Sequence, residues 1–191
     1  MPMDQFAIQL IHGRTHISPK RLGNPGPSAS QKETILLAAN AAPDHGRRVP
    51  WRFIEIQESS RPVLGEVFRQ CLLDRDQEAN PIQQQEALDK AYRGPLLLLA
   101  VANYKDSNED ISKQEKLISL GCAIQNILLS TYALGYGSGL SSGRALQSDR
   151  IRALFKLMDE EEPICFITIG TVIKNKPYRI RPNLSEYHST F

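Results

Sequence analysis

Hydrophobic positions fall along the chain in blocks that switch between helical and strand spacing. Residues 4–11 place Phe6, Ala7, Leu10 and Ile11 at helical intervals, and Gly13 follows as a stop signal. Three prolines (Pro19, Pro25, Pro27) and two glycines then predict an extended loop over residues 14–27. Ser30 stands three residues before Glu33, a capping box expected to open a helix over residues 31–42 with Ile35, Leu36, Ala39 and Ala42 inward. Residues 51–56 read Trp-Arg-Phe-Ile-Glu-Ile, an alternation broken by one extra apolar residue, which predicts a strand buried mostly on one face. Val63, Leu64, Val67, Phe68, Cys71 and Leu72 form one stripe and predict a helix over residues 61–73. Polar residues 74–84 predict a surface loop, and residues 86–93 a short helix ended by Gly94 and Pro95. Residues 96–101 have no polar break, the mark of a strand buried on both faces.

Residues 104–110 are polar and predict a mobile loop. The longest helical pattern, residues 112–134, is apolar around much of its circumference, so it belongs at the centre of a core or at an interface. Gly135 ends it and leads into a glycine-rich stretch. A short helix from Ser148 or Asp149 through Phe155 and a buried strand over residues 163–172 follow, then a basic, irregular tail. Helices and strands do not alternate strictly. That disfavours a doubly wound parallel sheet and predicts an α+β layer. The 191 residues suit one domain, or one subunit of an intertwined dimer.

Composition narrows the class. A net charge of +2 is too small for a nucleic-acid-binding face, so no nucleic-acid partner is expected. Cys71, Cys122 and Cys165 are far apart and odd in number, which argues against disulfides and zinc and for a reducing cytoplasm. No apolar run approaches the roughly 18–20 residues of a membrane helix, and no signal-peptide pattern opens the chain. A soluble, cytoplasmic protein with no membrane partner is the expectation.

Four features carry possible chemistry. Arg14, Thr15 and His16 at a helix end, with Lys174, Lys176, Arg179 and Arg181 in the tail, have the donors that phosphate recognition uses. Their plainer reading is solvated charge. Glycines at 135, 137, 139 and 143 let backbone N–H groups approach a flat or anionic ligand, or simply make a cap and turn. They do not form the dinucleotide fingerprint, which opens a helix instead of following one. His45 lies in a turn, where a lone histidine is ordinarily a surface residue. Trp51, the single tryptophan, reads as a core aromatic at a strand start. No GxSxG or HExxH motif is present, and the cysteines sit among apolar residues, so no side-chain nucleophile or metal site is indicated.

Four blocks, in order, resemble the nitroreductase family, in particular its APDHG…PWRF subgroup. They are Arg14-Thr15-His16; residues 42–53, with Ala42-Pro43-Asp44-His45-Gly46 and Pro50-Trp51-Arg52-Phe53; residues 121–139, similar to GxAxQNxLLxxxALGxG; and Phe166 to Thr171 with Arg179 to Pro182. The resemblance implies a central, mostly antiparallel sheet flanked by helices in an intertwined homodimer. It implies one FMN in each of two interface clefts. Electrons would pass from NAD(P)H by ping-pong hydride transfer through the flavin N5 to a nitroaromatic, a quinone or a similar small-molecule acceptor. Arg14, Thr15 and His16 would hold the FMN phosphate, with Arg179 and Arg181 assisting. His45 would approach the flavin from the partner subunit, and Leu140, Ser141 and Ser142 would contact its ring or ribityl part. The chemistry would be the flavin's, with no catalytic side chain. This chain departs from the family in carrying Thr15 and His16 for an Arg and a Ser, Leu140-Ser141 for an aromatic-basic pair, and Ala41 for an Arg. Lys20 or Arg21 could substitute. Each charged hydrogen bond truly lost would weaken FMN binding by about 1.5–3 kcal/mol. The alternative is a flavin-binding or regulatory protein of the same fold without efficient turnover.

Overall fold

The structure is a computed structural model and describes residues 2–105, 111–175 and 180–191. Helix α1 (Met3–Gly13) ends where Arg14 turns extended, and it buries none of its residues. The segment after it is more ordered than its prolines suggest. Ile17 N–H donates to the Ser138 carbonyl at 2.8 Å. A 3-10 turn, Pro19–Arg21, then leads into the two-residue strand β1 (Leu22–Gly23). Helix α2 (Ala29–Leu37) is opened by a capping box, but the pair is Ser28 and Gln31, not Ser30 and Glu33. It tightens into a 3-10 turn over Ala38–Ala41.

Strand β2 (Trp51–Glu55) and helix α3 (Arg61–Leu73) fall where the periodicity puts them. Helix α4 (Pro81–Asp89) begins earlier than expected, inside the polar stretch. Asn80 caps it with Gln83, and Pro81 sits in its first turn, where the missing N–H costs nothing. It buries only Ala87, so hydrophobic spacing could not reveal it. Strand β3 (Leu96–Asn103) is buried along nearly its whole length. The polar loop expected next falls mostly on residues 106–110, outside the described residues. Helix α5 (Lys113–Ala133) has Ser112 as N-cap with Glu115 closing the box. Strand β4 (Gly137–Ser141), helix α6 (Asp149–Leu154, capped by Ser148) and strand β5 (Glu161–Val172) complete the frame.

β5 organises the sheet. β3 pairs with it antiparallel, Leu98 opposite Ile167, and β2 extends the sheet beyond β3. β4 also pairs with β5, Gly139 opposite Thr168, and β1 pairs with its end, Leu22 opposite Val172. Every pairing between these strands is antiparallel, so the fold is α+β. The leucine run of β3 is explained by burial on both faces. Leu96, Leu98, Ala100 and Ala102 join the cluster with Ile35, Trp51, Leu120 and Ile127, while Leu97, Leu99 and Val101 join Leu64, Phe68, Ile151 and Phe166. Each such leucine contributes about 1.5–3 kcal/mol of burial. Trp51 is a core aromatic, and Cys71 and Cys165 are buried, the Cys165 thiol pushed up to about 11 by desolvation.

At the start of β5, Glu161 is only 2% exposed. It accepts from Arg52 Nε and Nη2 at 2.5 and 2.8 Å and from Met158 N–H at 3.0 Å. The Arg52 hydrogen bond holds its carboxyl below the usual range. This clamp ties β2 to β5 across β3. α5 buries Leu120, Ala123, Ile124, Ile127 and Leu128 but leaves Leu117, Ile118 and Tyr132 exposed, so its apolar girdle is only partly covered by the chain itself.

Candidate functional site

β4 carries a loop against one edge, and glycine makes this possible. A Cβ on Gly139 would lie 2.0 Å from the Ile17 carbonyl oxygen, so only a bare backbone lets residues 16 and 17 rest on the strand. His16 forms a parallel bridge with Ser138. Leu140 N–H donates to His16 Nδ1 at a long 3.4 Å, which puts the imidazole proton, when the ring is neutral, on Nε2. At the other end, Gly135 adopts φ +83° and reverses the chain between α5 and β4.

Where β4 begins, Arg14, Thr15, Gly135, Gly137 and Ser138 line a pocket of 210 Å³. Arg14 is half-buried, and its Nε is buried without a hydrogen-bond partner. Burial, and then the charge of Arg181, hold its guanidinium below the ordinary value. Arg181 donates to the His12 carbonyl at 2.6 Å and the Arg14 carbonyl at 3.2 Å, covering the electronegative end of α1. The structure thus brings Arg14, Thr15, His16 and Arg181 together. Arg179 and Lys176 lie outside the described residues, and Lys174 is exposed.

Where β4 ends, Leu140, Ser141 and Ser142 are exposed. Beyond them opens a cavity of 340 Å³ that runs from Ser141 and Gly143 to Phe68, Leu97 and Phe166. Arg75, Lys90, Arg93 and Arg144 stand around it. Sequence reasoning missed all four, because they come from separate elements and each alone is an ordinary polar-face cation. The one local hint is the i, i+3 spacing of Lys90 and Arg93. Burial, then Arg93 and Arg75, push the Lys90 ammonium below the usual lysine value. Lys90 is nevertheless open to water on one side, which screens that pressure.

His45 is elsewhere. Its Nδ1 lies 3.2 Å from Glu115 Oε1 at the start of α5. Tyr132, at the Arg14 pocket, is at the far end of that helix, about 25 Å along its axis. Within one chain His45 cannot join the Arg14 pocket. The turn that carries it is strained: Arg47 and Val49 sit at φ 53° and 47°, and Asp44 Oδ2 accepts Val49 N–H at 2.7 Å. Among the described residues no group of His, Cys, Asp and Glu could hold a metal ion, and no helix is long and apolar enough to cross a membrane.

An antiparallel five-stranded sheet between two helical layers, with a basic strap on a glycine strand, is the frame of a known class. The model of the nitroreductase family matches residues 16–171, and the chain belongs to that family. It is similar to the Escherichia coli (strain K12) protein named "Putative NAD(P)H nitroreductase YdjA", 29% identical over 165 residues that make up 86% of this chain and 87% of the relative. Its fold matches a nitroreductase-like family protein from Bacillus cereus with TM-score 0.82 at 17% identity, over 96% of this chain and 95% of that one. It also matches the FMN-dependent nitroreductase NfnB from Mycobacterium smegmatis, solved in complex with NADPH, with TM-score 0.77 at 15% identity over the full length of both.

Proposed function

We propose that residues 1–191 act as one FMN-binding domain of an NAD(P)H-dependent oxidoreductase that reduces nitroaromatics, quinones or similar acceptors. The observation that carries this reading is Arg14, a half-buried guanidinium with an orphaned Nε, beside Arg181 and with no carboxylate bonded to it among the described residues. An anion is what such a pair lacks. The Thr15 hydroxyl adds a donor, and the glycines at 135 and 137 bring no side chains to the pocket wall, so the set fits a phosphate monoester. From there β4 leads to Leu140, Ser141 and Ser142, where a flat ring would lie along the strand end.

Bound FMN would supply the two-electron chemistry of a ping-pong cycle, in which hydride from NAD(P)H would enter at N5 before an acceptor is reduced. The chain's residues bind and orient. Arg14, Thr15 and Arg181 anchor the phosphate. His16, engaged by Leu140 N–H, fixes the strap to the strand. Arg179 is assigned the same anchoring role on the resemblance alone.

The active unit we propose is a homodimer in the cytoplasm. α1 buries nothing within the chain and exposes Phe6, Ile8 and Ile11, and α5 exposes Leu117 and Ile118. A second copy would cover these faces and could bring its His45 to this chain's cofactor, a role closed to His45 within one subunit. The second reading, flavin binding without efficient turnover, is favoured by His16, whose ring nitrogen is committed to Leu140, and by the plain Leu140-Ser141 pair. The test is a visible spectrum with and without added FMN, then NAD(P)H oxidation with a quinone or nitrofuran. No flavin uptake rejects both readings. Uptake without acceptor-dependent oxidation leaves the second.

A further inference from the structure

We infer that Glu115 is a positioning residue that fixes which nitrogen of His45 carries the proton, and so which kind of ligand group His45 recognises. The inference rests on the reading above, in which a second copy brings its His45 to this chain's cofactor. Glu115 divides its carboxylate between two tasks. Oε2 closes the capping box of α5, accepting Ser112 N–H at 2.9 Å and the Ser112 hydroxyl at 3.1 Å. Oε1 stands 3.2 Å from His45 Nδ1. The Ser112 N–H first, and then His45, hold the carboxyl below its usual range, so it faces the ring as an ionised acceptor.

An ionised carboxylate only accepts, so Nδ1 must donate. In the neutral ring the proton then sits on Nδ1 and Nε2 keeps its lone pair. This is the reverse of His16, whose Nδ1 accepts Leu140 N–H. A bare Nε2 suits an N–H or hydroxyl of the ligand and rejects a carbonyl or phosphate oxygen. FMN offers such donors in its ring imide and its ribityl hydroxyls. The backbone supports the arrangement: Asp44 Oδ2 accepts Val49 N–H at 2.7 Å and closes the turn that carries His45. Asp44, Arg48 and Lys116 share a crevice with His45, and Lys116 Nζ donates to the Tyr104 carbonyl at 3.1 Å. The His45 ring is 68% exposed in the single chain, so water screens the pair and it adds little to stability. Its consequence is orientation, and the exposed ring is open to a second copy.

Glu115→Gln separates orientation from folding. Glutamine serves a capping box as glutamate does, and Ser112 N–H claims its amide oxygen, which leaves the NH₂ group facing Nδ1. Nδ1 must then accept, and the proton moves to Nε2. Long-range proton–nitrogen correlation spectra of the full chain read the tautomer at about pH 9, where an ordinary imidazole is neutral, with His45→Ala assigning the signal. The expected result is Nδ1–H in the native chain and Nε2–H in Glu115→Gln, with an unchanged melting temperature. FMN affinity should fall about three- to tenfold in Glu115→Gln, the worth of one hydrogen bond, and no further when Glu115→Gln is added to His45→Ala. Nε2–H in the native chain, or the same tautomer in both, overturns the inference. So does an unaltered FMN affinity after the tautomer has reversed, or an equal loss on the His45→Ala background, and in these cases the oxidoreductase reading stands. If the native chain takes up no FMN, that reading falls and the inference with it.

Discussion

The two ends of β4 hold cations in different states of commitment. At the beginning, Arg181 gives its hydrogen bonds to the carbonyls of His12 and Arg14, and Arg14 is half-buried with one orphaned nitrogen. At the end, four cations ring an apolar cavity, mostly open to water and unpaired among the described residues. The first arrangement is pre-organised and narrow, the property of an anchor for a fixed group. The second is loose and broad, an open mouth whose charges stand over an apolar wall. The number of positive charges does not separate the two; their partners and the surface beneath them do.

The sharpest way to break the comparison is to lift the strap. Gly139→Val puts a branched side chain where even a Cβ would meet the Ile17 carbonyl at 2.0 Å, so residues 14–17 must leave β4. FMN affinity should fall more than about a hundredfold, at a stability cost of about 1–3 kcal/mol. Flavin fluorescence quenching and a thermal melt read the two effects. Retention of tight FMN binding would show that the anchor lies elsewhere. Next in size is Arg14→Ala, expected to weaken FMN by about ten- to a hundredfold, the worth of one charge-assisted bond. Arg144→Ala at the other end should change FMN affinity by less than about threefold. Equal losses from both would erase the distinction between anchor and mouth.

The scaffold between the two ends gives a stability test. Arg52→Ala should cost about 2–3 kcal/mol, more than Glu161→Ala, because it strands a buried carboxylate, whereas Glu161→Ala leaves an arginine that water can reach. Urea melts measure both. The pH dependence follows from the sign of the shift. Glu161 is held below its unfolded value, first by Arg52, so its contribution is present above the ordinary carboxylate range and lost as pH falls through the depressed value. In Arg52→Ala that acid loss should disappear.

Much of the frame was legible because it rests on local periodicity. α3, β2, α5 and the two buried strands announce themselves through their apolar spacing. α4 did not, since nine polar-rich residues burying one alanine have no stripe to read. The capping box was displaced to Ser28 because Ser28 and Ser30 both stand before the helix, and only geometry chooses between them. Of the site, the contiguous Arg14-Thr15-His16 and the glycine run could be found, and the structure joins them through the Gly139 contact. The rim of Arg75, Lys90, Arg93 and Arg144 could not. Its members meet only after α3, α4 and the segment following β4 have packed around Phe166, and tertiary proximity leaves no trace in the spacing of single cations. His45 was legible as a residue but not as a place, because its distance from the Arg14 pocket is set by the length of α5.

The smallest effect sharpens the comparison most finely. Lys90 gives up its proton more readily than an ordinary lysine, first through burial and then through Arg93 and Arg75. Two consequences have opposite signs. For the fold, a lysine that binds its proton less tightly when folded carries a penalty that is full below its folded value and vanishes as pH rises to the unfolded one. For the ligand, the same deprotonation removes one rim charge. As pH rises, anion binding at this rim, read with 4-nitrobenzoate as a probe, should therefore decline by a few-fold at most, and before a typical surface lysine titrates. FMN affinity at the other end should stay level over that interval, since its anchors are guanidinium groups. Titrations with both ligands across the alkaline range, repeated in Lys90→Gln, check this. The variant should flatten the nitrobenzoate profile and leave the FMN profile unmoved, and parallel decline of the two would mean that both ligands depend on the same charge.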